Sequence, residues 1–220
     1  QIKNLTIKNA TVGILVSGND GTPTPTLDLE NTQIYNCANV GLLARTGNIE
    51  GRNLVINNCG QSSFAGSFGG SYEFVHCTFA NYWPTPNQTA VLLSNENDGN
   101  TPTTLSKANF NNCIFYGSSN LAISLKKKGT IFEYKFDYCL IKFIDPGNQL
   151  TNTELYQFST NTRYENCIIA TNSTSNRPDF KDPSNNELII REDSVDKGTA
   201  NTTYSTFKDI LNKDRTGLTD

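Results

Sequence analysis

The sequence predicts an all-β fold, a right-handed parallel β-helix of about seven coils with an irregular C-terminal cap. Two observations lead to this prediction. A short segment recurs around each of the six cysteines, and the residue before the cysteine is usually asparagine. Successive copies lie 27, 22, 18, 36, 26 and 28 residues apart, counting a first copy with Ala10 in place of cysteine. Self-similarity at intervals of about 20 to 50 residues is typical of solenoids.

The columns around the cysteines indicate where the backbone turns. Large, mostly apolar residues stand three positions before each cysteine: Ile34, Ile56, Phe74, Phe110, Phe136 and Tyr164. Side chains alternate between the two faces of a strand, so the residues three positions before and two positions after a cysteine cannot both face inward in one straight strand. The backbone must therefore turn between these two positions. Asparagine tolerates the left-handed backbone conformation better than other non-glycine residues. We therefore predict structural corners, stacked as in the asparagine ladder of right-handed parallel β-helices, at Asn9, Asn36, Asn58, His76, Asn112 and Asn166.

Further strands and loops follow from the same alignment. Residues 11–16 match residues 39–44, which predicts another strand a few residues after each corner. Segments rich in Gly, Pro and Asn predict loops at 18–25, 82–87, 95–104 and 145–152. We expect residues 1–170 to form the β-helix and residues 171–220 to form a C-terminal capping or tail segment, because an open coil leaves core and strand edges exposed.

The cysteines are expected to be free thiols inside the core. An even number of cysteines in a secreted chain is compatible with disulfides. However, parallel in-register Cβ vectors on neighbouring coils are a poor geometry for a disulfide. Buried cysteine also serves well as a small apolar residue.

Charge and hydropathy exclude several partners. The formal net charge is −3, with acidic and basic residues mixed along the chain. A nucleic-acid partner would require a clustered basic face, so none is expected. No segment approaches the roughly 20 apolar residues of a membrane-spanning helix.

The acidic residues offer two candidate sites for metal binding or catalysis. Residues 96–100, Glu-Asn-Asp-Gly-Asn, form the best local calcium-binding pattern but are more typical of a turn. Asp137 and Glu165 share a column and fit the paired carboxylates of a glycoside hydrolase, although Lys135 and Arg163 beside them favour ion pairing. The single histidine, His76, excludes a histidine-based metal cluster. No catalytic residue, metal site or cofactor is assigned, and Ca²⁺ enters only if the protein is a lyase.

Two features predict recognition of a ligand. Tyr82 and Trp83 lie in a predicted loop, where an exposed ring can stack on a sugar, although packing over the core edge is the alternative. The run Lys126, Lys127 and Lys128 follows a predicted strand and fits an anionic glycan. A charge run at a strand end is also a common protection against edge-to-edge aggregation.

The tail carries a family resemblance. Phe180, residues 185–188, residues 193–198, Asp209, residues 214–217 and Asp220 are spaced like the end of secreted bacterial β-helix proteins of the choice-of-anchor Q type. Val195 stands where those proteins usually have proline. The resemblance implies an extracellular or bacterial cell-surface location.

These observations leave three functions open. The leading hypothesis is a non-enzymatic secreted or surface-attached scaffold that binds a glycan or another surface protein. The first alternative is a polysaccharide lyase or glycoside hydrolase acting on an acidic polysaccharide. It predicts three or more carboxylates with a Lys or Arg on one exposed sheet. The second alternative is a subunit of a larger surface assembly, which predicts a large uncovered apolar face.

Overall fold

The computed structural model describes residues 1–18, 25–159, 162–204, 206 and 208–215. It is an all-β solenoid built from three sheets of stacked parallel strands, which confirms the right-handed parallel β-helix. Two of the sheets have seven strands, one from each coil, and the third has five.

Each sheet takes one strand from successive coils. Sheet A contains Ile2–Lys3, Leu27–Glu30, Asn48–Arg52, Gly70–Val75, Leu105–Asn111, Lys135–Asp137 and Tyr164–Glu165. Sheet B contains Thr6–Lys8, Gln33–Cys37, Val55–Cys59, Thr78–Asn81, Ile114–Gly117, Leu140–Lys142 and Ile168–Ala170. Sheet C contains Val12–Ser17, Val40–Arg45, Ser62–Ser67, Thr89–Ser94 and Ile123–Lys126.

The tail has little regular structure. It contains an antiparallel hairpin of Phe180–Asp182 and Glu187–Ile190, and the short 3₁₀ helices Pro183–Asn185 and Thr202–Tyr204.

The predicted corner residues belong to two corners of the coil. All six have positive φ, between 52° and 60°. Asn9, Asn36 and Asn58 lie between sheets B and C, whereas His76, Asn112 and Asn166 lie between sheets A and B. We call these the B–C corner and the A–B corner. The cysteines therefore do not form the one column that the alignment assumed: Cys37 and Cys59 stack at the B–C corner, and the other four lie at the A–B corner.

A continuous ladder follows the A–B corner through every coil. Seven residues occupy it, all with φ between 49° and 55°: Asn4, Asn31, Asn53, His76, Asn112, Tyr138 and Asn166. The Asn31 amide donates to Asn4 Oδ1 at 3.1 Å, and the Asn53 amide donates to Asn31 Oδ1 at 2.9 Å. The amide-to-amide stacking then stops, because the next position is His76. The Asn112 amide donates to His76 Nε2 at 3.2 Å.

The interior is filled by stacked side chains. Phe74, Phe110, Phe136 and Tyr164 form one aromatic column, with neighbouring ring planes within 14° of parallel. All six cysteines are free thiols, and five of them are buried. The Cys113 thiol donates to Asn111 O at 3.2 Å, and the Cys139 thiol donates to Phe110 O at 3.3 Å in the preceding coil. Burial raises the pKa of both thiols well above the usual value, so these cysteines serve packing.

The C-terminal end of the interior is covered by residues 145–159, a segment inserted between the last two coils. Sheet C has no strand in this segment. The centroid of the Phe158 ring lies 4.9 Å from that of Phe143 and 4.6 Å from that of Tyr164. The Tyr156 hydroxyl accepts a hydrogen bond from Leu125 N at 2.7 Å, at the end of sheet C. A segment within the repeat therefore supplies the rings that pack on this end.

The described part of the tail covers the side of the solenoid. Asn186 Oδ1 accepts from the Asn57 amide at 2.9 Å, in the third coil. Asn201 and Asn112 exchange two hydrogen bonds of 2.8 and 2.9 Å, in the fifth coil. Most of the predicted loop 18–25, and residues 216, 217 and 220 of the anchor-like pattern, lie outside the described residues.

Candidate functional site

The predicted aromatic pair lies at the B–C edge of the fourth coil, and both side chains are partly buried. The Tyr82 ring meets Phe180 of the tail edge-on, with centroids 6.4 Å apart. Burial raises the pKa of the Tyr82 phenol above its usual value. Trp83 is held by its backbone: its N–H donates to Asn81 Oδ1 at 3.2 Å, and its carbonyl accepts from the Gln88 amide at 3.0 Å. Tyr82 thus contributes to packing of the tail.

The three lysines lie at the opposite end of sheet C. Lys126 is the last residue of its strand, and all three side chains are exposed. Lys127 pairs with Glu154 at 2.6 Å, and Lys128 pairs with Glu96 at 3.3 Å. The structure therefore does not join the lysines and the aromatic pair into one site, and two of the three lysines already meet carboxylates.

Asp137 and Glu165 are neighbours in sheet A, as the shared column predicts. Asp137 is buried and accepts hydrogen bonds from the Tyr204 hydroxyl at 2.7 Å and the Asn166 amide at 3.2 Å. Glu165 pairs with Lys135 at 2.7 Å. Both carboxylates have structural partners, and the tail covers Asp137.

The segment 96–100 forms a turn. Asn97 Oδ1 accepts from Gly99 N at 3.0 Å and Thr101 N at 2.9 Å, which is an Asx-type turn. Asp98 pairs with Arg45. Across residues 1–18, 25–159, 162–204, 206 and 208–215, no group of three or more His, Cys, Asp and Glu side chains is placed to hold a metal ion.

The outer face of sheet A brings together a charged column that the sequence did not reveal. Its members are in register on successive coils from the second to the sixth: Asp28, Glu50, Glu73, Asn109 and Lys135. Neighbouring strands in a sheet lie about 4.8 Å apart, so the column presents a polar group at each such interval. We call this set the sheet A column.

Basic side chains lie beside the acidic half of this column. Arg52 contacts Glu50 at 2.9 Å and Asp28 at 3.4 Å, and Lys107 contacts Glu73 at 2.7 Å. The four charged members of the column keep between 24% and 40% of their side-chain surface exposed. The face is therefore a flat, nearly neutral lattice of donors and acceptors that water and ligands can reach.

The column is invisible to motif searching because its members are separated by 22 to 36 residues along the chain. Two segments that contain members of the column carry a local sequence signal. They are Leu27-Asp28-Leu29-Glu30 and Tyr72-Glu73-Phe74, which alternate apolar and acidic residues. Such alternation indicates a strand with one buried and one solvated face. Alignment by strands places these acidic residues in one column, whereas alignment by cysteines divides the column in two.

Among the described residues, no helix is long and apolar enough to cross a membrane. Comparison with models of protein families, with curated proteins and with solved structures finds no match.

Proposed function

We propose that this chain is a secreted or cell-surface β-helix that acts as a non-enzymatic scaffold and binds a linear glycan along the outer face of sheet A. The observation that supports this most is the sheet A column, which repeats a polar group at each coil. A polymer of sugar units is also a repeating ligand. Several evenly spaced weak contacts on one rigid surface combine into useful affinity.

The charge balance favours a neutral or weakly charged glycan. Glu50 and Glu73 are accompanied by Arg52 and Lys107, so a strongly anionic chain meets carboxylates and cations together. Carboxylates and guanidinium groups both hydrogen-bond sugar hydroxyls without requiring a charged ligand.

A panel of neutral and anionic glycans tests the proposal, with binding measured by calorimetry. The double variant Glu50→Gln and Glu73→Gln is expected to lose about tenfold or more in affinity, because charged hydrogen bonds are worth about 1.5–3 kcal/mol each. The matched control is Glu154→Gln, an exposed carboxylate that pairs with Lys127 away from sheet A. Equal binding by the double variant and the wild type, or no binding to any glycan, would refute the proposal.

A polysaccharide lyase is the second candidate, and the same face favours it. Three carboxylates, Arg52 and Lys107 share one exposed sheet, as the lyase alternative predicts, but no three acidic side chains of the described residues are placed to hold the Ca²⁺ that such a lyase uses. The panel should therefore be followed for unsaturated products with and without Ca²⁺. Product formation that stops in Arg52→Ala would replace the binding proposal by the lyase.

The assembly alternative has less support. The exposed large apolar side chains of the described residues are Leu5, Leu15, Ile131, Ile189 and Leu211. Leu5 and Leu15 belong to the first coil, and the other three lie in a loop after sheet C or in the tail. Scattered apolar residues of this kind are normal on a soluble surface.

A further inference from the structure

A cavity of about 520 Å³ lies between the outer face of sheet B and the tail. This places it on a different side of the coil from the sheet A column. Pockets of roughly 300–1,000 Å³ are the usual size for small-molecule ligands. The inference drawn from this cavity is independent of the glycan proposal.

The floor of the cavity is a row of outward-facing residues of sheet B. They are in register, one from each coil from the second to the sixth: Gln33, Val55, Thr78, Ile114 and Leu140. At about 4.8 Å per coil, the row is roughly 19 Å long. Outward positions on a solenoid are usually polar, so three aliphatic residues in this row require a cover.

The roof of the cavity is also largely aliphatic. Leu188 and Ile190 from the tail hairpin, and Ile210 from the segment that follows, line it. The neighbouring row of sheet B is packed directly, because Ala80 and Tyr116 form a buried cluster with Phe180 and Leu188. The tail thus packs on one row of sheet B, Val55 and Ile114 of the adjacent row pack against the same cluster, and the cavity lies over the rest of that adjacent row.

Polar contacts hold this part of the tail in place. Asn112 and Asn201 exchange two hydrogen bonds, and the Asn53 amide donates to Lys208 O at 2.7 Å. The Arg215 guanidinium donates to Asn53 Oδ1 at 2.6 Å. These contacts lie along the A–B corner and fix the tail beside the floor.

Charged groups gather at the edge of the cavity. The lining includes the carboxylates Glu187, Asp196, Asp209 and Asp214 and the cations Lys213 and Arg215. The lining therefore combines a long aliphatic strip with a polar rim, which matches an amphipathic molecule with one narrow apolar portion.

We propose that this cavity binds an unbranched aliphatic chain with a small polar head, the chemistry of a fatty acid. The chain lies along Val55, Thr78, Ile114 and Leu140, parallel to the solenoid axis. The carboxylate head lies beside Lys213 and Arg215, the two cations of the lining. The floor is one residue wide on each coil, so only a narrow chain can lie along it. The row of these residues therefore sets the direction of the bound chain.

A series of unbranched fatty acids of increasing length tests the proposal, through displacement of a fluorescent fatty acid from the full chain. Each added methylene is expected to raise the affinity roughly fourfold until the chain outgrows the floor. An affinity that does not increase with chain length would overturn the proposal. This readout needs no variant and does not depend on glycan binding.

Two variants sharpen the test. Ile114→Trp fills the middle of the floor and is expected to reduce affinity at least tenfold, whereas Leu15→Trp, at an exposed position of sheet C, is the matched control. Thr78→Val makes the floor more apolar with little change of shape and is expected to raise affinity a few fold. If Ile114→Trp fails to fold, unchanged affinity in Thr78→Val still contradicts the proposal. Wild-type binding by a folded Ile114→Trp contradicts it directly.

Discussion

The first three coils and the last four solve the same packing problem differently. In the first three coils, sheets A and B fill the interior with aliphatic residues such as Leu29, Ile34 and Ile56, and the A–B ladder is uninterrupted asparagine. In the later coils, an aromatic column fills the interior, and His76 and Tyr138 interrupt the ladder.

At the A–B corner, the tail attaches where the ladder is interrupted. Asn53 is the last ladder asparagine before His76, and its Oδ1 accepts hydrogen bonds from Thr206 and Arg215. Asn112 is the first ladder asparagine after His76, and its Oδ1 accepts a hydrogen bond from Asn201 N. A stacked amide uses its donors and acceptors on its neighbours, whereas an amide beside a histidine has capacity left over. The interruption of the ladder at His76 thus leaves Asn53 and Asn112 with the hydrogen-bonding capacity that holds this part of the tail.

The largest expected effect comes from the aromatic column. Phe110 is fully buried and stacks on Phe74 and Phe136. Phe110→Ala is expected to lower the free energy of unfolding by about 3–5 kcal/mol. In the aliphatic half, Ile34→Ala is the matched truncation of a fully buried side chain and is expected to cost about 2–5 kcal/mol. Urea unfolding measures both, and a loss for Phe110→Ala no larger than that for Ile34→Ala would show that the aromatic column adds no special stability.

The next effect tests the boundary between the two halves. Gly51 stands in register below Phe74, and a Cβ on Gly51 would lie 2.5 Å from Phe74 Cδ1 and 2.7 Å from Leu54 Cδ1. Gly51→Ala is therefore expected to destabilise the protein by about 1–3 kcal/mol through overpacking. Gly99→Ala is the control, because its nearest contact is Asn97 Oδ1 at 3.4 Å in an exposed turn. A stable Gly51→Ala would mean that the aromatic column can shift without cost.

A smaller effect is expected at the ladder amides. Asn53→Gly keeps a residue that accepts positive φ but removes the bonds to Lys208, Thr206 and Arg215. We expect a loss of about 1–2 kcal/mol in stability, with faster proteolysis of the tail. Asn4→Gly removes a ladder amide in the first coil, far from the tail, and should leave tail proteolysis unchanged. Equal proteolysis of the two variants would contradict the role assigned to Asn53.

The repeat was predictable from the sequence, but the corner of the coil at which each copy lies was not. Asparagine before cysteine predicts a corner wherever it occurs, because positive φ is a local property of the residue. Which corner an asparagine forms depends on the number of strands since the preceding corner. The 18-residue step from Cys59 to Cys77 is shorter than a coil of three strands. That step moves the cysteines from the B–C corner to the A–B corner. Asn31 and Asn53 precede Thr32 and Leu54 instead of cysteine, so alignment on cysteines misses them.

The candidate sites were less predictable still. The sheet A column and the floor of the cavity are made by register between coils, and register is a long-range property. Tyr82 and the lysine run were chosen from local composition. Tyr82 packs against Phe180, about 100 residues away in sequence. No local sequence pattern indicates a partner so distant along the chain.

The last prediction is a pH dependence that originates at the ladder interruption. Burial, together with the positive charge of Arg215, lowers the pKa of His76 from 6.5 to about 4, although a hydrogen bond to the Tyr204 backbone opposes the shift. Because the pKa is lower in the folded protein, the unfolded chain binds the proton more readily. Stability should therefore be highest above pH 6.5 and fall as the pH decreases toward about 4.

Other groups titrate in the same range, so the comparison must be made against a variant. His76→Asn restores asparagine to the ladder and removes the histidine, while Arg215 and the carboxylates remain. Urea unfolding at a series of pH values should show wild-type stability falling relative to His76→Asn as the pH decreases through this window. Parallel curves for the two proteins would mean that His76 does not contribute. The interruption would then differ from the asparagine rungs only in its hydrogen-bonding capacity, and its charge would have no influence on how the tail is held.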